Sequence, residues 1–329
     1  MILKPFKGLW LHGVAAIWLW LLLFTVGCSS VASTVEKTSD QIGYQTQKIV
    51  RQISPFKSDL KPFLAVYRFE NKALMAGKTF QPVFQEGIIR RLENKCGTVV
   101  ALPAQQIDQL SALDALPRLP SGALDNFALA QMGRRIGLNA IAVGALNNIN
   151  LTKEIQGVFS RETHYFIQVT IRLQVFDTAT ATKILDEIFD KEMEVDEMEY
   201  SSIQTNQKVN MAWLQDAFEQ MIMKMANRLC EALFNLSWSG FVVGTEGNLI
   251  QLSSGSRVGL KPGLVLEVFD SSEIITGVNG QRYIVPGLKV GEVKVKTVFP
   301  DRSEAEPVSG DDIREGSILI SPIFKPGTI

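Results

Sequence analysis

Residues 164–177, HYFIQVTIRLQVFD, alternate almost without fault. Tyr165, Ile167, Val169, Ile171, Leu173 and Val175 take one parity, and His164, Phe166, Gln168, Thr170, Arg172 and Gln174 take the other. A period of two is the signature of a half-buried strand, and a slip of one residue would put every apolar side chain in water. The chain must therefore build a sheet with one covered face here. After the turn TATATK, the segment ILDEIFDKEMEV returns as a second strand with Phe189, Met193 and Val195 on one side.

Other elements follow by periodicity. KPFLAVYRFEN carries a short apolar strand at 64–69. In FQPVFQEGIIRRLENKCG, helical spacing joins Val83, Phe84, Ile88 and Leu92, with Gly97 as a stop. TVVALP is a further strand ending at Pro103. ALDNFALAQMGRRI, residues 123–136, reads as a helix stopped by Gly137, and NAIAVGALNNINL as a strand that turns polar. A long helix over 209–234 carries an apolar stripe of Met211, Leu214, Phe218, Met221, Ile222, Met225, Leu229 and Leu233. The order β-α-β-α-β-β-β-α predicts an α/β or α+β layer, a single mixed sheet covered by helices. After Trp238 the helical patterns cease. Strands near 240–243, 248–252, 264–269, 288–298, 303–308 and 317–321 between Gly, Pro and Asn-Gly turns predict a small all-β barrel.

Gly8 to Gly27 bears no charge apart from a neutral His12, and is long enough to cross a bilayer as a helix. Its flanks fit an export signal: Lys4 and Lys7 ahead, a Leu/Trp-rich centre, then small residues. A signal anchor that happens to end in cysteine is the alternative. The sequence divides into a signal peptide at 1–27, a Ser/Thr/Gln-rich polar tether at 28–58, an α/β domain at 59–237 and a β domain at 238–324.

Chemistry is sparse. The 329 residues hold 33 basic and 34 acidic side chains, and loss of Lys4 and Lys7 with the leader leaves a net charge of −3, so no basic field exists to hold nucleic acid. Beyond the leader the one histidine, His164, cannot build a multi-histidine metal site, and Cys96 and Cys230 lack metal-binding spacing. They either pair in an oxidising compartment or stay as buried thiols. No nucleophile elbow, phosphate loop or dinucleotide fingerprint is present. The run DEIFDKEMEVDEMEY at 186–200, with its eight carboxylates, fits the wet face of a strand or a partner-docking surface. MIMKMANRLC at 221–230 fits core packing, with Met223 off the buried stripe. The expectation is a protein without catalytic, cofactor or metal sites, and not an enzyme.

Several stretches resemble known families. TVGC at 25–28 resembles the lipobox of bacterial lipoproteins, with Thr25 where Leu is usual. The resemblance implies acylation of Cys28, by palmitate among other chains, and Ser29 after it implies the outer membrane, with the chain on the periplasmic face. PFLAVYRFEN, GTVVALPAQQID, MGRRIGLNAIAVGAL and IRLQVFDTATATKIL resemble the TolB N-terminal and curli-secretion (CsgG-like) lipoprotein α/β domain over about 60–236, with Asn139 for the usual Ala or Asp and Thr182-Lys183 for Thr-Gly. IQLSSGSRVGLKPGLVLEVF, VGEVKVKTVFPDRSEA and IREGSIL resemble the last domain of flagellar assembly protein T. These resemblances imply a lipid-anchored scaffold or assembly factor for a flagellar, curli-like or secretion structure. Its partners would be envelope proteins, with homo-oligomer formation left open. Alternatives are an oligomeric outer-membrane secretion channel and a lipoprotein activator of a peptidoglycan synthase. Against the channel, the linker TKEIQGVFSRET is short and charged, and the two strands it joins would sit at the centre of the sheet. Mass spectrometry of the mature N-terminus should find an acylated Cys28; an intact, unmodified Met1 would return the leader to a simple anchor.

Overall fold

A mixed sheet, shielded by helices on one face and by a barrel on part of the other, organises the chain. The computed structural model describes residues 60–73, 80–96, 100–104, 116–157, 161–206, 208–209, 214–234 and 236–322. The apolar leader, the whole tether with Cys28, and Met211 lie outside the described residues. In chain order the sheet region comprises β1 (Phe63–Val66), β2 (Glu70–Asn71), α1 (Phe80–Cys96), β3 (Val100–Pro103), α2 (Asn126–Arg135), β4 (Ala140–Gln156), β5 (Glu162–Asp177), β6 (Lys183–Val195), α3 (Glu197–Asn206) and α4 (Gln215–Phe234). Strands run β3-β1-β4-β5-β6, with β2 continuing beside β4 beyond the end of β1. The first contacts are parallel, and β4-β5 and β5-β6 are antiparallel.

The parity read from β5 is the parity observed. Ile167, Val169, Ile171, Leu173 and Val175 are fully buried against α1 and α4. At the heart of that layer Phe69, Phe80, Phe84 and Phe218 interlock, with Phe80 and Phe84 ring centroids 4.6 Å apart and Phe84 and Phe218 4.9 Å apart. Phe69 fits because Gly144 has no side chain: a Cβ there would stand 2.0 Å from its ring. Val83 belongs instead to the wet side of α1, 45% exposed, because the buried positions Phe80, Phe84 and Ile88 set the face one residue away. Met221 and Met225 are core and Met223 is half-buried. Cys96 at the end of α1 and Cys230 in α4 form a disulfide with Cα atoms 5.8 Å apart. Bridging residues 134 positions apart stabilises a fold by about 2–5 kcal/mol.

Two local rules set the flanking helices. Asp125 caps α2, accepting from the backbone N–H of Phe127 and Ala128 at 3.1 and 3.0 Å. At its other end Gly137 takes φ +75°, and the Gly137 and Leu138 N–H groups return to Arg134 and Gly133 as a Schellman turn. The last part of the acidic run does not continue β6. Asp196 and Glu199 form a reciprocal capping box, Glu199 N–H to Asp196 Oδ1 at 2.7 Å and Asp196 N–H to Glu199 Oε2 at 3.4 Å, and α3 starts there. The β5-β6 turn places Ala181 at φ +58°, held by Asn126 Nδ2 donating to its carbonyl at 2.8 Å.

Strands β4 and β5 are longer than their apolar cores. Pairing continues to Gln156 opposite Glu162, so most of the segment read as a linker is strand. Beyond Leu151 the β4 arm of this hairpin is exposed on both faces, while its partners His164, Tyr165 and Phe166 on β5 are half-buried.

The remaining strands are β7 (Ser239–Glu246), β8 (Leu249–Leu252), β9 (Val265–Phe269), β10 (Ile274–Thr276), β11 (Arg282–Ile284), β12 (Lys289–Val298), β13 (Ser303–Ser309) and β14 (Ile318–Ile320). Six of them close an antiparallel barrel in the order β12-β13-β8-β7-β14-β9. β10 and β11 form a separate hairpin inserted between barrel strands. The barrel interior is continuous with the second face of the sheet: Phe63, Ala65, Tyr67, Ile141, Val143 and Phe176 share one apolar cluster with Trp238, Val242, Leu266 and Val293.

Asn139, fully buried, stitches the two parts. Its Oδ1 accepts from Phe63 N–H at 2.9 Å, and its Nδ2 donates to the Ser239 carbonyl at 2.6 Å and Ser239 Oγ at 3.0 Å. Neither Ala nor Asp could satisfy both sides. Asn139→Ala should cost about 1–3 kcal/mol for each polar group it strands. Urea denaturation measures this, and an unchanged midpoint would show that the stitch is dispensable.

Candidate functional site: a cleft and an uncovered sheet face

Helices cover one face of the sheet as far as about Leu151 on β4, but the barrel and α2 cover only the near part of the other. Among the described residues nothing covers the far part. Asn148, Asn150 and Arg172 are exposed there, Gln168, Thr170 and Gln174 are half-buried, and β6 contributes exposed Asp186, Ile188, Asp190, Glu192 and Glu194. Opposite each of these on β6 lies a half-buried residue, including Phe189, Met193 and Val195. The acidic run is thus the wet face of a strand as far as Glu194, except for Glu187, which turns to the helix side and pairs with Arg228 of α4. His164 lies near the far end with its Nδ1 2.5 Å from Glu194 Oε1.

Where the covered and uncovered parts meet, a cleft of about 340 Å³ opens. Val143, Ala145 and Phe176 form its floor, residues 118–126 one wall, and Gln281 and Tyr283 of the β10-β11 hairpin another. The hairpin is held by α2: Asn126 Nδ2 donates to the Arg282 carbonyl at 2.6 Å, and the Arg282 guanidinium lies 4.1 Å from the centre of the Phe127 ring. Ile284 N–H donates to the Thr180 carbonyl at 2.9 Å. The barrel part of the chain thereby completes a site on the sheet.

Four cations enter this cleft from separate elements: Lys72 after β2, Arg118, Arg172 on β5 and Lys183 at the start of β6. Two carboxylates serve them. Glu70 takes Lys72 at 3.3 Å and also Arg118, which donates a second bond to the Gly122 carbonyl at 2.8 Å. Asp186 accepts both arms of the Arg172 fork, Nε at 2.6 Å and Nη2 at 2.8 Å, and a further bond from Lys183. The Arg172 fork, with Lys183 beside it, holds the Asp186 carboxyl well below the usual carboxylate range, and the same pairing raises Arg172. Among the described residues a surplus of two positive charges remains.

A second cleft, about 440 Å³, lies between α2, β7 and the turn before β14. Arg134, only 8% exposed, donates from Nη2 to Ser271 Oγ at 2.7 Å and to the Gly316 carbonyl, and its guanidinium lies 4.9 Å from the Phe241 ring centre. Desolvation lowers its pKa to about 10, opposed by the charge of Asp177. Its bonds run between α2 and the barrel, so it works as a clamp inside the fold.

No protein-family model matches the chain, and no curated protein matches it in sequence. Solved structures are similar to parts of it. A hypothetical protein from Chlamydia trachomatis is 15% identical, over 52% of this chain and 98% of that one, with a TM-score of 0.32. A lipoprotein from Neisseria meningitidis is 9% identical over 44% and 94%, with a TM-score of 0.29. The LpoB C-terminal domain from Salmonella enterica is 13% identical over 45% and 93%, with a TM-score of 0.28. Each spans about half of this chain.

Of the residues singled out from sequence, Cys28 lies outside the described residues, and His164 sits at the exposed far end of the sheet, away from the cleft lining. None of the four cleft cations was singled out as a functional residue, although Arg172 and Lys183 fall within the stretch IRLQVFDTATATKIL. The Glu194 carboxylate, through its hydrogen bond and then its charge, raises the His164 pKa above the ordinary value. The charged pair is therefore complete below the ordinary histidine pKa of about 6.5, as long as the pH stays above the range where carboxylates protonate, and is lost as pH rises through the raised pKa. With His12 the other histidine, the His164 signal is readily assigned by comparison with His164→Gln. NMR titration should give a midpoint above the ordinary value of about 6.5 that falls in Glu194→Gln; no change in that variant would contradict the pairing.

Proposed function

We propose that this chain is a lipid-anchored protein of the bacterial envelope that works as a scaffold or assembly factor through protein contacts, with no turnover of its own. The disulfide between Cys96 and Cys230 carries the envelope location in this reading, because reducing compartments keep such thiols apart. It agrees with the export-type leader and with Gly27-Cys28 at its end. Cys28 is then the acylated first residue, Ser29 favours outer-membrane retention, and the α/β and barrel parts stand in the periplasm beyond a polar tether. The uncovered face of β4, β5 and β6 is the contact surface of this reading. Flagellar, curli-like and secretion assemblies are the candidates for what it serves, as the sequence resemblances imply.

A channel fits less well. A membrane-crossing strand needs a lipid-facing apolar parity over ~9–11 residues. On β4 beyond Leu151, Lys153 interrupts one parity and Glu154 the other. Strands β4 and β5 also occupy the middle of the sheet.

Photo-crosslinking in intact cells tests the proposal. With the crosslinker at exposed Asn148, an adduct with another envelope protein is expected; at exposed Lys294 on the barrel it is not. No adduct at Asn148 would sink the reading, and a ladder of adducts with further copies of the chain would replace it by a homo-oligomer.

A further inference from the structure

We propose that the cleft between β5, residues 118–126 and the β10-β11 hairpin receives an extended acidic segment of a partner protein. This rests on the contact-protein reading above and deepens it.

Charge is the first ground. Among the described residues Lys72, Arg118, Arg172 and Lys183 line the cleft, against the single lining carboxylate of Glu70. With Asp186 counted beside it, each carboxylate is still divided between two cations. The whole chain is close to neutral, at −1, so this surplus is a local concentration of positive charge. Inside a concave site bounded by protein such charges are less screened than on an open surface, and a further carboxylate would complete their pairing.

Shape is the second. A volume of about 340 Å³ exceeds what a single small anion fills. The floor of Val143, Ala145 and Phe176 offers an apolar strip between the cations, with the amides of Gln174 and Gln281 beside it. An extended peptide meets that combination, placing carboxylates on the guanidinium groups, an apolar side chain on the floor and backbone groups on the amides. The site also has an outlet. From Arg172 and Gln174 the open sheet face runs on through Thr170 and Gln168 on β5, opposite Asn148 and Asn150 on β4. A segment leaving the cleft would lie along these polar side chains.

The test is fluorescence anisotropy with the full chain in detergent micelles and a labelled hexapeptide of alternating glutamate and leucine. The expected result is saturable binding, weakened as salt rises from about 50 to about 200 mM, and absent for the glutamine-leucine peptide. The double variant Arg118→Gln/Arg172→Gln should lose at least about tenfold in affinity, whereas Lys289→Gln on the barrel should not. Should the double variant melt at a lower temperature, Lys72→Gln/Lys183→Gln removes two exposed charges and must weaken binding in the same direction. Equal binding of the two peptides, or unchanged affinity in both double variants, would overturn the proposal. Displacement of the peptide by inorganic phosphate at equal concentration would overturn it in favour of a small-anion site. A partner crosslinked at Asn148 with no peptide binding would remove the acidic segment and leave the contact reading standing.

Discussion

One buried amide holds this architecture together. Asn139 stands where α2 has ended and β4 is about to begin, and its side chain reaches both the start of β1 and the start of the barrel at Ser239. Its backbone joins the same junction, donating to the Phe63 carbonyl at 2.7 Å and accepting from Thr178 N–H at 3.1 Å. Four segments far apart in sequence are thereby fixed at one fully buried point. In such surroundings an unpaired polar group is costly and a satisfied network is rigid. The apolar cluster common to the sheet and barrel then packs around that point, and Arg134 clamps the same seam from α2. The barrel is consequently held in place on the sheet, and its β10-β11 hairpin can serve as a wall of the cleft.

What sequence made legible follows from how strongly each element must bury one face. β5 is central, so every second residue is driven to full burial and the period of two is plain. The six barrel strands were legible for the same reason, with Val242, Leu266, Val268, Val293 and Val295 turned inward. The β10-β11 hairpin escaped notice because its strands are three residues long, and Ile274, Ile275 and Thr276 are all exposed. It is placed by Asn126 and Phe127, partners about 150 residues away that no local pattern announces. The start of α3 is a different case: Asp196 and Glu199 carry the capping-box spacing, but their charges merge with the carboxylates of β6 and mask it.

The cleft was illegible for a topological reason. Lys72 is near its place because β2 extends the parallel line of β1 alongside β4. Arg172 is there because β5 is antiparallel to β4, with Ala145 directly opposite it. Arg118 arrives through a loop and Lys183 through the β5-β6 turn. In sequence each stands among ordinary mixed charge. Their surplus becomes visible only once four segments are folded onto one corner of the sheet, whereas the acidic run, conspicuous as a string, is spent on a solvated face and a helix cap.

The acidic face of β6 also decides how another protein can approach. β6 is an edge strand, and a strand added to its free edge would extend the sheet. A second β6 laid there would bring Asp186, Asp190, Glu192 and Glu194 against the same carboxylates, and like charges across a strand pair are destabilising. Only Asp186 among these four is part of the cation cluster; Asp190 is bound by neutral Thr170 Oγ1 at 2.5 Å, and Glu194 faces His164. The edge is therefore guarded against copies of itself, while the face one strand inward combines a cationic cleft with neutral amides and hydroxyls. Contact through the face rather than along the edge is the mode these charges favour, and a partner that presents acidic groups to the cleft must keep them clear of β6.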